Sequence, residues 1–312
     1  MSPVTKFKGL IAAGFTPQHP DGTLNLDLIP ALVDHLIAQG ISGLYVCGST
    51  GEGPLLTAEE RRQVAEAYIQ ASAGRLPVVI QVGHNSLAES CGLAQHAAAA
   101  GADYISALAP SYFQPNNVNN LVDCMAEIAA QAPNLPFYYY HIPRLTGNAM
   151  SMTAFLEIGG PVIPNLAGIK YSDFKLYEFM ECQRVQDGAF DILWGCDEML
   201  LAALATGARA AVGSTYNMGA PIYHDVMRQF ADGNIVAAQQ AMLRSVQFIK
   251  ICDGKHACAL TCLKAMMAMI GLDCGPTRMP LRPLEASAFA ALKADLEQLG
   301  FFDWIQTSAA DG

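Results

Sequence analysis

The stretch Gly43–Val82 reads GLYVCGSTGEGPLLTAEERRQVAEAYIQASAGRLPVVIQV and holds one strand–helix–strand unit. Its two ends, Gly43 to Cys47 and Pro77 to Val82, are short apolar runs of strand length bounded by turn residues. Between them Thr57 can cap a helix and Glu60 occupies the capping-box position, which predicts a helix from Thr57 to Ala73. Strand, helix, strand in that order is the building unit of a parallel sheet.

Six further runs repeat the pattern: Leu10 to Phe15, Tyr104 to Ala109, Phe137 to Ile142, Ala167 to Tyr171, Asp191 to Gly195 and Ala210 to Ser214. Eight parallel strands alternating with helices can close into a (β/α)8 barrel, which leaves no exposed edge and buries each strand on both faces. An open doubly wound sheet is the alternative, but the first strand–helix turn, Phe15-Thr16-Pro17-Gln18, lacks the glycine fingerprint of a dinucleotide site. Beyond the eighth run, residues 222–302 read as three or four helices, including Val236 to Ile251 and Ala257 to Ile270, with Gly275 to Pro283 as an irregular connection. The expected division is a barrel core over 1–221, then the last barrel helix and a C-terminal helical extension over 222–312.

At 312 residues, 52% hydrophobic and 15% charged, the chain has the material for one large core and no low-complexity tract. Eighteen basic against 28 acidic residues give a net charge of −10, and the basic residues are scattered, so nucleic acid is not an expected partner. Nine cysteines without a CxxC pair or zinc-like Cys/His spacing read as reduced thiols of a cytosolic protein. Met1 to Lys8 lacks the apolar core of a signal peptide, and no apolar run approaches the roughly 20 residues that span a bilayer. A soluble, cytoplasmic protein with no membrane partner is expected.

Active sites of such barrels lie at the C-terminal ends of the strands, and five of these ends are chemically loaded. They are Gly48-Ser49-Thr50-Gly51-Glu52-Gly53, Tyr140-His141-Ile142-Pro143, Lys170-Tyr171-Ser172, Gly195-Cys196-Asp197-Glu198 and Gly213-Ser214-Thr215-Tyr216-Asn217. Lys170 closes a buried strand, so it is either paired, reaching out of the barrel mouth, or used chemically; burial lowers a lysine pKa and frees an amine to attack a carbonyl. Asp173 and Glu198 are its candidate ion-pair partners. Tyr140 ends the neighbouring strand, roughly 5 Å away across the ladder, within reach of anything bound to Lys170. The glycine-rich turn at Gly48 to Gly53 offers backbone N–H groups and hydroxyls to an anion such as a carboxylate, and without a G-K-[ST] run it does not suit a triphosphate. Asp197 and Glu198 are open to three readings: hydroxyl acceptors, metal ligands, or the acidic first turn of a helix. His141 has no His or Cys partner at ligand spacing and reads as a positioned histidine, not a metal ligand.

Together these motifs resemble the N-acetylneuraminate lyase and dihydrodipicolinate synthase family, and its lyase branch in particular, over roughly Lys6 to Leu299. The resemblance rests on G-S-T-G-E at Gly48 to Glu52, Y-x-I-P at Tyr140 to Pro143, G-I-K at Gly168 to Lys170, G-x-D-E at Gly195 to Glu198 and G-S-T-Y-N at Gly213 to Asn217. It implies an aldolase that cleaves a sialic acid into pyruvate and N-acetylmannosamine through a lysine Schiff base, with no metal or other cofactor, as a homotetramer. It further implies that Lys170 forms the Schiff base, Tyr140 moves the proton, and Ser49 and Thr50 hold the pyruvyl carboxylate. Ser172, Gly195, Asp197, Glu198 and Ser214 would contact the sugar end, and Tyr112 matches a tyrosine near the site. The synthase branch has an arginine five residues after the catalytic tyrosine; here that position is Leu145, with Arg144 one residue earlier and expected to aim elsewhere. The alternatives are a synthase or another pyruvate-dependent aldolase of the family, and a sugar-acid sensor without turnover.

Overall fold

Eight parallel strands close in chain order into a barrel: β1 (Gly9–Ala13), β2 (Gly43–Val46), β3 (Val78–Gln81), β4 (Tyr104–Ala107), β5 (Phe137–His141), β6 (Leu166–Tyr171), β7 (Asp191–Trp194) and β8 (Ala210–Gly213). The computed structural model describes residues 6–306. Residues 1–5, which open the Met1 to Lys8 segment, and residues 307–312, which end the expected extension, lie outside the described residues. Closure is explicit in the pairing of β1 with β8, Gly9 opposite Ala210 and Ala12 opposite Gly213, so the open-sheet alternative does not hold. Each strand falls on its expected run, with ends moved by a residue or two.

The helix between β2 and β3 spans Ala58–Ser72 and starts on the expected capping box. Glu60 N donates to Thr57 Oγ1 at 3.2 Å, and Thr57 N donates to Glu60 Oε2 at 2.9 Å. Two otherwise orphaned amides are thereby satisfied, which fixes where the helix leaves the glycine-rich turn.

Alternation along the strands divides the core in two. Tyr139 packs outward among the residues between sheet and helices, whereas Tyr138 and Tyr140 pack inward with Tyr45, Val79, Leu193 and Val212. Inward residues near the strand N-termini plug the barrel floor, where Asp191 accepts from Tyr138 Oη at 2.9 Å and from Phe7 N at 3.0 Å. Inward residues near the C-termini face the open mouth, and Lys170 is among them.

After β8 the chain continues as helices Tyr216–Ala231, Ile235–Cys252, Ala259–Met269, Ala286–Leu299 and Phe301–Gln306, with residues 275–283 irregular as expected. A boundary at 221/222 falls inside the first of these helices, and Pro221 is buried there. Among the described residues no helix is long and apolar enough to cross a membrane.

Candidate active site

The barrel mouth opens into a cavity of 590 Å³ that is walled by Ser49, Thr50, Tyr140, Lys170, Ser172, Gly195, Asp197, Glu198 and Ser214. Residues from five strand ends, far apart in sequence, thus converge on a space sized for a small metabolite. Tyr112 is the one expected site residue that lies elsewhere: it is 81% exposed on the loop after β4 and packs edge-on against Phe113, ring centres 4.9 Å apart.

Lys170 is only 4% exposed. Tyr140 is its register partner across the β5–β6 ladder. The amine nitrogen lies 3.7 Å from the centre of the Tyr45 ring and 4.1 Å from that of Tyr140. Among the described residues it makes no ion pair: Asp173 instead faces Lys175 at 3.4 Å. Burial pulls the Lys170 pKa down to about 7, opposed by the negative charge of Asp197. A large fraction of the amine is therefore neutral, and nucleophilic, near neutral pH.

Tyr140 Oη lies 3.4 Å from Ser49 Oγ. Burial raises its pKa to about 12, with the Ser49 contact opposing, so the phenol keeps its proton and can give it. Thr50 Oγ1 and Ser214 Oγ are 2.5 Å apart and join β2's loop to β8's. The loop itself is tightly specified. Cys47 and Glu52 adopt left-handed backbone conformations, φ 59° and 53°, which is costly for residues with side chains. A Cβ on Gly53 would fall 1.9 Å from the Cys47 carbonyl oxygen, so only glycine fits there. Thr16 Oγ1 donates to Gly51 O at 2.6 Å and ties the loop to β1's end.

Of the three readings of Asp197, burial argues against a solvated first turn. Its Oδ2 accepts from Thr215 N at 2.9 Å and Thr215 Oγ1 at 2.6 Å. Burial raises the carboxyl pKa to about 6, with the Thr215 hydrogen bonds opposing. Glu198 is half-buried beside it at the rim. Gly195 leaves room for Ser172, whose Oγ would lie 2.0 Å from a Cβ at that position.

His141 is fully buried, and among the described residues neither of its ring nitrogens has a hydrogen-bond partner. Folding brings Asp173 and Glu178 to it, with one potential ligand atom from each within 4.8 Å of the others. His141 Nε2 to Asp173 Oδ2 is 3.8 Å, wider than about 3.3 Å between ligands of one tetrahedral zinc. Glu178 already accepts from Met152 N at 2.9 Å and Tyr171 Oη at 2.8 Å. The cluster would have to contract to hold an ion, and sequence spacing alone did not reveal it.

Two further features depart from expectation. Arg144 does not aim away: Pro143–Thr146 forms a helical turn, not extended chain, and both Arg144 and Leu145 line the cavity. Tyr45 and Thr215, whose ring and hydroxyl fix Lys170 and Asp197, were not singled out. In β2, buried on both faces, periodicity does not mark which residue points inward.

Residues 6–299 match the Dihydrodipicolinate synthetase family. The chain is 39% identical over 303 residues to N-acetylneuraminate lyase of Gallus gallus, covering 96% of this chain and 98% of that protein. Among solved structures, Proteus mirabilis N-acetylneuraminate lyase superposes with a TM-score of 0.92 at 39% identity, covering 95% of this chain and 100% of that one. The Ruminococcus gnavus sialic acid aldolase catalytic lysine mutant superposes with a TM-score of 0.90 at 26% identity, covering 97% and 99%.

Proposed function

The chain belongs to the Dihydrodipicolinate synthetase family, and on that premise we propose that it cleaves N-acetylneuraminate reversibly into pyruvate and N-acetylmannosamine through an imine on Lys170. It is a carbon–carbon lyase of the class I aldolase kind. The observation that carries this reading is the buried Lys170 amine, which makes no ion pair among the described residues, its pKa lowered to about 7, facing Tyr140 across one strand pair.

Neutral Lys170 adds to the ketone of the open-chain sugar acid, and uptake of one proton from solvent with loss of water leaves a protonated imine. The imine withdraws electrons from the adjacent carbon–carbon bond. Tyr140 is placed to relay the proton of the neighbouring hydroxyl as that bond breaks: it gives its own proton to the bound carboxylate while taking the hydroxyl's, and ends neutral. N-acetylmannosamine departs as the aldehyde and an enamine remains on Lys170. Protonation of the enamine carbon and addition of water then release pyruvate and restore the amine. The imine is itself the electron sink, so the chemistry requires no metal.

Ser49 and Thr50 hold the carboxylate, with backbone amides of a constrained turn beside them. Ser172, Glu198 and Ser214 face the sugar end, and Asp197, fixed by Thr215, sets both sugar contacts and the charge around Lys170. Tyr112 takes no part within one chain. A cytoplasmic homotetramer completes the proposal. The nine free cysteines suit a reducing compartment, and Val236 and Leu243, 69% and 55% exposed, are apolar surface that a partner chain would cover.

A second reading follows from Arg144 on the cavity wall: a synthase that clamps the carboxylate of a second substrate. Release of pyruvate from N-acetylneuraminate, measured beside condensation of pyruvate with aspartate semialdehyde, separates the two. Pyruvate release alone supports the lyase, and condensation alone the synthase.

A further inference from the structure

We propose that Lys264 and Glu52 form a positioning pair that holds the carboxylate-binding loop, so that the C-terminal helices set the affinity for the pyruvyl end of the substrate. This rests on the lyase reading and names residues to which it gives no role. Glu52 closes the glycine-rich turn two positions after Thr50. Its Oε1 lies 2.6 Å from Lys264 Nζ, with side chains 0% and 2% exposed. Its Oε2 accepts from Arg278 N at 2.8 Å, and Lys264 also donates to Pro276 O at 2.9 Å. The Arg278 guanidinium then reaches Glu60, at 2.7 and 2.6 Å, in the first turn of the helix that follows the loop. The turn is thus pinned on both sides by residues more than 200 positions away.

Stability alone does not explain two charges this dry. A buried ion pair is often no more stable than an apolar pair of the same shape, because desolvation consumes most of the attraction. Position and charge explain them better. Glu52 is held in a strained left-handed conformation that sets the direction of the preceding Ser49 and Thr50. Left without Lys264, its negative charge would also stand uncompensated in the same loop, two residues from Thr50. Leu263, adjacent to Lys264, lines the catalytic cavity, so the helix Ala259–Met269 touches the site directly as well as through the loop.

The test is steady-state kinetics in the condensation direction with Lys264→Met, and with the double variant Glu52→Gln/Lys264→Met, which removes both charges and keeps the shape. Loss of the clamp should raise KM for pyruvate about tenfold in Lys264→Met, equivalent to about 1.4 kcal/mol. KM for N-acetylmannosamine should stay within about twofold, and the double variant should recover part of the loss. A merely structural role would lower the active fraction and leave both KM values unchanged. Either that result or a rise in both KM values together would overturn the proposal. If Lys264→Met does not fold, the double variant and Lys264→Arg supply the same comparison. The pyruvate concentration that half-saturates borohydride trapping gives a second readout needing only the imine. Wild-type protein that traps pyruvate but does not cleave N-acetylneuraminate would refute the substrate while leaving the clamp to be judged. Wild-type protein that traps nothing would refute both.

Discussion

Tyr140 and Lys170 stand opposite one another on β5 and β6, with the lysine nitrogen 4.1 Å from the centre of the tyrosine ring. A nucleophile and a proton carrier thus share one rung of the barrel, each buried and each perturbed by that burial. For Lys170 the consequence is a pH profile. Only the neutral amine attacks, so the rate of imine formation with pyruvate should climb roughly tenfold per pH unit below about 7 and level off above it. Asp197 favours the charged amine, so Asp197→Asn should move the midpoint to lower pH. Stopped-flow rates across pH 5 to 9 check both; a rate still climbing roughly tenfold per unit at pH 9, as for an amine with the ordinary lysine value of 10.5, would mean the amine is solvated.

Tyr140→Phe removes the proton carrier and keeps the ring beside Lys170. Pyruvate should still be trapped as an imine, while kcat for cleavage falls by about 10²- to 10⁴-fold, the usual worth of a positioned acid–base group. Equal loss of trapping and turnover would assign Tyr140 to building the pocket and not to moving the proton.

Gly195→Ala probes the sugar end sterically. The new Cβ would lie 2.0 Å from Ser172 Oγ and 3.0 Å from the Tyr171 carbonyl oxygen, so Ser172 must move. KM for N-acetylneuraminate should rise while pyruvate trapping is unchanged. Unaltered KM would show that the sugar does not use this wall.

Lys170 also weighs on stability. Between about pH 7 and 10.5 the unfolded chain keeps a proton on this lysine that the folded chain has released, so stability rises with pH across that window. Below pH 7 the full deficit applies, on the order of 5 kcal/mol by the size of the shift. Lys170→Met should therefore melt at higher temperature than wild type, with the gap largest near pH 6 and narrowing toward pH 10. Calorimetry over that range decides it, and a gap independent of pH would argue against a buried, depressed lysine.

The fold was legible because every strand of a closed parallel barrel is buried on both faces and stands out as an apolar run between helices, as Pro77 to Val82 does. Lys170 was legible for the same reason, as a charge ending such a run. What the sequence hid were groups whose importance lies in a distant partner. Lys264 reads as an ordinary helical lysine until Glu52 is seen 2.6 Å away. Arg144 was expected to aim elsewhere because alternation holds for extended chain, and the chain turns helical at Pro143. His141 looked isolated because Asp173 and Glu178 lie more than 30 positions along.

The central claim is a covalent imine on Lys170 formed from a sialic acid. Borohydride reduction of the protein incubated with N-acetylneuraminate, followed by peptide mass mapping, tests it most directly. A pyruvyl adduct on the peptide containing Lys170, absent from Lys170→Met, is the expected result. A reduced adduct on another lysine, or none at all while pyruvate is still released, would contradict it.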